Sequence, residues 1–247
     1  LLRLGFCGGD DRTDMSLMLE LSQVCPIIEW GVLFHPDKVG TPRYPKMEWV
    51  EELCSKGRGK LFLASHFCGQ YVNDLLSGDA SFVSKVHSLG FQRIQINPTK
   101  ANDVYLEKLP DPASHLRNAV KGNPDVEFIL QRNVETEALC LLLESQEPPL
   151  PNLSFLYDAS CGRGVYDSEA IAAAASSSTC ETYNVGFAGG IGPGTILEVL
   201  QNLEATGLGG ERGVWIDMES KVRVDEVFSL SLCKECVEIY LEHIKKP

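Results

Sequence analysis

Three short stretches set reactive side chains beside glycines. "GFCGGDDRTD" (5–14) puts the thiol of Cys7 directly before Gly8 and Gly9. "NLSFLYDASCGRG" (152–164) ends an apolar run on Asp158 and continues into a glycine-bearing loop. A carboxylate that follows such a run needs a reason to be there, which makes Asp158 a candidate for chemistry. Cys7 reads either as a small buried hydrophobe or as a working thiol. "GFAGGIGPGTILEVL" (186–200) runs from β-type residues through Gly189 and Gly190 into a helical pattern. A turn of this kind offers main-chain N–H groups to a phosphate or carboxylate, and it serves equally as a tight packing turn. Arg43 suits bidentate pairing with an anion, or it anchors its own loop. Asp217 and Glu219 alternate and so share a strand face. With Asp10 or Asp11 they suit a divalent cation; alternatively they are solvated, or paired with Arg223. His66 ends its strand by bonding within the mouth or by ligating a metal. Gln95, Asn97, Gln131 and Asn133 suit sugar hydroxyls or a neutral polar layer.

The elements that must hold these groups follow from the pattern. β-rich runs fall at 1–7, 26–34, 60–66, 91–97, 126–131, 152–158, 184–190 and 213–219. Stretches with helical spacing lie between them at 14–24, 47–54, 71–89, 135–146, 167–178 and 194–205, and one at 224–244 closes the chain. In the less regular 102–121 stretch, "SHLRNAVKG" predicts a helix that stops at Gly122. Strands alternating with helices imply a parallel sheet. Eight such units in 247 residues predict an α/β fold with one domain over 1–247, a (β/α)8 TIM barrel. Chemistry in that fold lies at the C-terminal strand ends, where the candidate residues fall, while the strand interiors read as apolar. An open doubly wound sheet would carry a glycine fingerprint after the first strand. "CGGDDRTD" is not one, and no cofactor is expected.

Composition narrows the partners. There are 22 Lys and Arg against 34 Asp and Glu, a net charge of −12, so neither nucleic acid nor an anionic membrane is an expected partner. No apolar run is long enough for a membrane span. "LLRLGFCGG" lacks a basic segment and reads as no signal peptide, and the absent initiator Met reads as a trimmed or partial start. The 9 cysteines are odd in number and scattered, which suggests reduced thiols and a cytoplasmic location. Cys233 and Cys236 sit in a helical pattern without a second ligand pair and read as helix packing, not zinc. Oligomeric state is left open.

The motifs taken together resemble the phosphoribosylanthranilate isomerases in order and spacing over almost the whole chain. "GFCGG" resembles their opening Cys-Gly, and "WGVLFHPDKVGTPRY" their second strand and Pro-Arg-Tyr loop. "FLYDASCGRG" is similar to their sixth-strand Asp and its loop, "FAGGIGPGTILEVL" to their Ala-Gly-Gly turn and helix, and "GVWIDMESKVR" to their last strand. The resemblance implies an Amadori rearrangement of a phosphoribosyl amine, in which an acid opens the ribose ring and a base removes the C2 proton. It implies Cys7 as base, Asp158 as acid, Arg43 for a substrate carboxylate, and Gly189 and Gly190 with helix 194–205 for phosphate.

Departures from the family pattern are equally specific. Gly5 stands where the family has Lys. Asn97-Pro98 replaces His-Gly, Glu219-Ser220-Lys221 replaces Ser-Ser-Gly, and Asp10 and Asp11 are added. A carboxylate at the phosphate loop repels an anion unless Lys221, Arg223 or Arg163 offsets it. These changes imply a divergent paralogue, an isomerase-like enzyme for another small phosphorylated sugar derivative. His66, Gln95, Asn97, Gln131 and Glu219 would join its small anionic substrate in the mouth, with no metal. A catalytically silent barrel that binds a metabolite or protein, and a metal-dependent lyase or hydrolase using the acidic rim, are the other readings.

Overall fold

A computed structural model describes residues 1–158, 160–161, 164–208 and 213–245. Gly162 and Arg163 of the expected site lie outside the described residues. Eight parallel strands close into a barrel in sequence order: β1 (Arg3–Cys7), β2 (Ile28–Phe34), β3 (Phe62–Phe67), β4 (Arg93–Ile96), β5 (Glu127–Arg132), β6 (Leu153–Tyr157), β7 (Asn184–Phe187) and β8 (Val214–Met218). β1 and β8 seal the ring, with Gly5 opposite Asp217. The outer layer is α1 (Met15–Val24), α2 (Met47–Gly57), α3 (Gln70–Leu76), α4 (Ser81–Leu89), α5 (Pro112–Gly122), α6 (Glu137–Glu144), α7 (Ala170–Ala175), α8 (Thr179–Thr182), α9 (Ile196–Thr206) and α10 (Leu230–His243). A short hairpin, β9 (Arg223–Val224) with β10 (Val227–Phe228), precedes α10.

Local chemistry explains several boundaries. Asp14 accepts from the N–H groups of Ser16 and Leu17 at the start of α1, and Ser229 caps α10 in the same way. Asp111 caps α5, with Pro112 in its first turn. The helical stretch expected over 71–89 is two helices, because α3 ends at Ser77 and Gly78 turns the chain at φ +101°. The expected 167–178 helix is shorter, only α7, and α8 follows beyond the expected range. Cys233 and Cys236 are buried on the inner face of α10, as packing residues would be.

Apolar side chains between the strands and the helices form the main core. Inside the ring, Trp215, Ile129 and Leu156 pack together as a plug. Gly186 leaves the space that the Trp215 indole fills. The expectation of apolar strand interiors fails below this plug. Arg93 there pairs with Glu29 at 2.6 Å and with Glu127 at 2.7 Å, and its guanidinium lies 4.5 Å from the Trp215 ring centroid. Ser154 donates to Glu127 at 2.5 Å. Burial alone would disfavour these charges; mutual pairing in one network offsets it. Among the described residues no helix is long and apolar enough to cross a membrane.

Candidate active site

The C-terminal rim holds a pocket of about 220 Å³ lined by Arg43, His66, Gln95, Asn97, Gln131, Asp158, Gly189, Gly190 and Glu219, with Tyr44, Cys68, Ser160 and Asp217 among its other walls. Ten residues singled out from sequence, Asp217 included, therefore meet on one surface. Cys7 is not on that wall. It is fully buried at the end of β1, with Sγ 3.1 Å from Nδ1 of His66.

Asp158 leaves the end of β6 with both oxygens engaged. Oδ2 accepts from Nε2 of Gln131 at 2.8 Å. Oδ1 accepts from the Ser160 hydroxyl at 2.6 Å and the Ser160 N–H at 3.1 Å. These contacts fix the carboxylate's orientation toward the pocket. Oε1 of Gln131 is buried without a hydrogen-bond partner among the described residues. Gln95 donates to Oδ1 of Asn97 at 2.9 Å, which sets two more amides side by side. Asn133, weighed with them for hydroxyl recognition, is elsewhere. Its Oδ1 accepts from the N–H of Glu135 at 2.9 Å, which shapes the turn into α6.

The glycine turn after β7 is shaped by close approach. Gly189 and Gly190 have φ of +98° and +68°. A Cβ on Gly189 would stand 2.8 Å from Oδ1 of Asp158, and one on Gly190 would run into the main chain at Val165 and Tyr166. Glycine here lets the turn lie against the carboxylate on one side and the loop after β6 on the other. The following helix starts at Ile196, with the Thr195 hydroxyl bridging back to the Gly190 carbonyl at 3.0 Å.

Charges at the mouth pair differently from expectation. Arg43 reaches Glu219 at 2.7 Å and Glu226 at 2.8 Å, so among the described residues the salt-bridge partner of Glu219 is Arg43, not Lys221. Lys221 instead sets its Cβ and carbonyl against Gly192. Arg223 pairs with neither Asp217 nor Glu219 as a salt bridge; it donates to the Gly8 carbonyl at 2.7 Å and stands 3.9 Å from Asp10. Asp10 is held by Arg12 at 2.9 Å and by the Arg43 N–H at 3.1 Å, and Asp11 accepts from the N–H of Lys46 at 3.1 Å. Neither reaches Asp217 to form the acidic cation site considered from the sequence.

Burial sets the protonation states at the floor. It pushes the His66 imidazole down to about 3, aided by the nearby Arg93 charge, so the ring is neutral. It pushes the Cys7 thiol well above the ordinary range, with Asp217 and Glu219 adding to the effect. Burial, then Glu219 and Glu29, raise the Asp217 carboxyl to about 8. Asp217 is the site residue that sequence reasoning gave least weight. Its alternation with Glu219 was visible, but its distance to Cys7 and His66, on strands far away in the chain, was not.

A closed eight-stranded parallel ring with a polar pocket at its C-terminal rim defines the (β/α)8 barrel class. Known structures with this fold include N-(5'-phosphoribosyl)anthranilate isomerase from Pyrococcus furiosus, 14% identical, the match covering 98% of this chain and 100% of that one at TM-score 0.61. Phosphoribosyl anthranilate isomerase from Thermus thermophilus is 16% identical, with 97% and 98% covered at TM-score 0.62. Triosephosphate isomerase from Bartonella henselae is 10% identical, with 96% and 98% covered at TM-score 0.58. The resemblance read from the motifs is met at the level of the fold over nearly the whole chain. No family model matches the chain, and no curated protein matches its sequence.

Proposed function

We propose that the rim pocket is the active site of an isomerase-like enzyme that shifts a proton between adjacent carbons of a small phosphorylated sugar derivative. The observation that carries this reading is Asp158, a carboxylate on the pocket wall oriented by Gln131 and Ser160 and backed by the Gly189 turn. A fixed carboxyl can protonate a ring oxygen as the sugar opens. The carboxylate so formed can then take the proton from C2, which gives an enol-type intermediate whose collapse leaves the ketose form. Starting protonated, the carboxyl gives one proton to the ring oxygen, takes the C2 proton, delivers it to C1 and takes the proton of the C2 hydroxyl, so it ends as it began and no external reagent is needed.

The neighbouring side chains suit the rest of such a substrate. Gln95, Asn97 and the unpaired acceptor of Gln131 match hydroxyl groups. Gly189 and Gly190, after β7, would take a phosphate, and Arg43, after β2, a second anionic group such as a carboxylate. Cys7 is held as a buried thiol against His66, and in this reading the pair belongs to the floor while Asp158 handles the protons. The residues that differ from the isomerase pattern, Gly5, Asn97 and Glu219, support a substrate other than phosphoribosylanthranilate.

A thermal-shift screen of phosphorylated aldoses and phosphoribosyl amines tests the reading. Stabilisation by at least one of them, followed by its conversion to a ketose in the wild type and not in Asp158→Asn, is expected. Conversion that is undiminished in Asp158→Asn would exclude the role given to that carboxyl.

A further inference from the structure

Below the pocket, three side chains from strands far apart in the sequence converge: Cys7 on β1, His66 on β3 and Asp217 on β8. One sulfur, one ring nitrogen and one carboxylate oxygen from them lie within 4.8 Å of one another. The Cys7 sulfur is already 3.1 Å from Nδ1 of His66. A tetrahedral zinc ion with ordinary bond lengths holds sulfur and nitrogen ligands about 3.5 Å apart. A shift of a few tenths of an ångström therefore suits the thiol and imidazole to one ion, while the Asp217 oxygen, within 4.8 Å of both, would close by up to about 1 Å to join them.

We propose that Cys7, His66 and Asp217 bind one divalent transition-metal ion of the zinc type, with its remaining position open to the pocket. The backbone makes room for this set. A Cβ on Gly5 would stand 2.7 Å from Oδ1 of Asp217. A Cβ on Gly31 would stand 2.8 Å from Nε2 of His66 and 3.0 Å from Cβ of Cys7. Both glycines are in mid-strand, where glycine weakens the sheet and marks a close approach. Both also lie in register with the set, Gly5 opposite Asp217 and Gly31 opposite Cys7.

The donor chemistry selects the ion. Thiolate, imidazole and carboxylate suit zinc or cobalt, whereas magnesium and calcium take oxygen ligands. A thiolate and a carboxylate together neutralise a dication, which a site this deep requires. On binding, the sulfur–metal bond forms as the thiol proton leaves to solvent, a proton on Asp217 leaves likewise, and no electron is transferred. Among the described residues Asp217 makes no side-chain hydrogen bond that binding would break. His66 and Asp217 face the pocket beside Asp158 and Gln131, so a water or substrate oxygen can complete the coordination. The ion site goes beyond the proposed function and stands without it, because protein ligands alone define it.

Cobalt titration of the chelator-treated full chain, without oxygen, tests it by spectroscopy. One equivalent of Co²⁺ is expected to give a thiolate-to-cobalt charge-transfer band in the near ultraviolet, and one equivalent of Zn²⁺ to remove it. Cys7→Ser should lose the band, and Asp217→Asn should bind at least about tenfold more weakly, with circular dichroism reporting the fold of each. Should either variant fail to fold, protection of the wild-type Cys7 thiol from alkylation by one equivalent of Zn²⁺, read by peptide mass spectrometry, carries the same question. Absence of the band, a band that survives Cys7→Ser and is lost in Cys68→Ala, or a Cys7 thiol alkylated as fast with zinc as without it would overturn the proposal.

Discussion

The guanidinium of Arg43 meets the carboxylate of Glu219 at 2.7 Å, tying the loop after β2 to the loop after β8 across the mouth of the barrel. Arg43 adopts φ +78° to make this reach, and its N–H is held by Asp10 at 3.1 Å. Arg43, on the pocket wall, is thus held by two protein carboxylates with which an anionic ligand would compete. Glu219→Gln should free one side of the guanidinium, with Glu226 still holding the other, and tighten the binding of inorganic phosphate or a sugar phosphate about two- to fivefold, in keeping with a partly exposed pair. Isothermal titration calorimetry measures this; weaker phosphate binding in Glu219→Gln would show that Arg43 does not serve the ligand.

Asp158→Asn keeps the shape of the side chain and removes the proton-transfer group. Turnover of a substrate found by screening should fall by about 10²- to 10⁴-fold, the usual worth of a positioned acid or base. Stability should change by only about 1 kcal/mol, since the amide oxygen still accepts from Ser160 and a flip of the Gln131 amide lets its unpaired Oε1 accept from the new NH2 group. Steady-state kinetics and urea unfolding of the same preparation separate the two effects.

Gly186→Ala places a methyl group where the Trp215 indole lies inside the ring. Overpacking of a filled interior costs about 1–3 kcal/mol. The urea midpoint should drop accordingly, with the near-ultraviolet dichroism of Trp215 altered. An unchanged midpoint would mean that the plug is not as tightly packed as described.

Acid stability depends on the ion network under the plug. Burial acts to raise the Glu127 carboxyl, but the charge and hydrogen bonds of Arg93, with bonds from Ser154 and Asn184, hold it below the ordinary glutamate value. A carboxyl lowered in the folded state contributes stability that is complete above its unfolded value and is lost as pH falls through the folded one. Unfolding free energy should therefore decline below the usual glutamate range. In Glu127→Gln the protein should be less stable at neutral pH, and the decline on acidification should be shallower. Urea midpoints of both proteins across the acid range give the comparison.

The strands were legible because each is a short β-rich run between helical patterns; all eight formed within a few residues of expectation. Helix ends were less so: Gly78 splits the 71–89 stretch, and the hairpin before α10 was hidden in a segment read as helical. The rim residues could be gathered from strand ends alone, since parallel strands put their C-termini on one side. Pairings across the ring could not. Arg43 with Glu219, Cys7 with His66, and Arg93 with Glu29 join positions whose separation in sequence carries no signal of contact. Asn133 shows the converse: its residue type suited the pocket, but the turn into α6 claims its side chain.

Solvent deuterium exchange reads the proton shift itself. A phosphorylated aldose or phosphoribosyl amine that stabilises the protein is incubated in D₂O and followed by ¹H NMR. Deuterium entering at the carbon that loses its proton, at a rate that collapses in Asp158→Asn, is expected. Ketose formation by the wild type without any such exchange, together with full activity in Asp158→Asn, would contradict proton transfer by this carboxyl and the isomerase reading built on it.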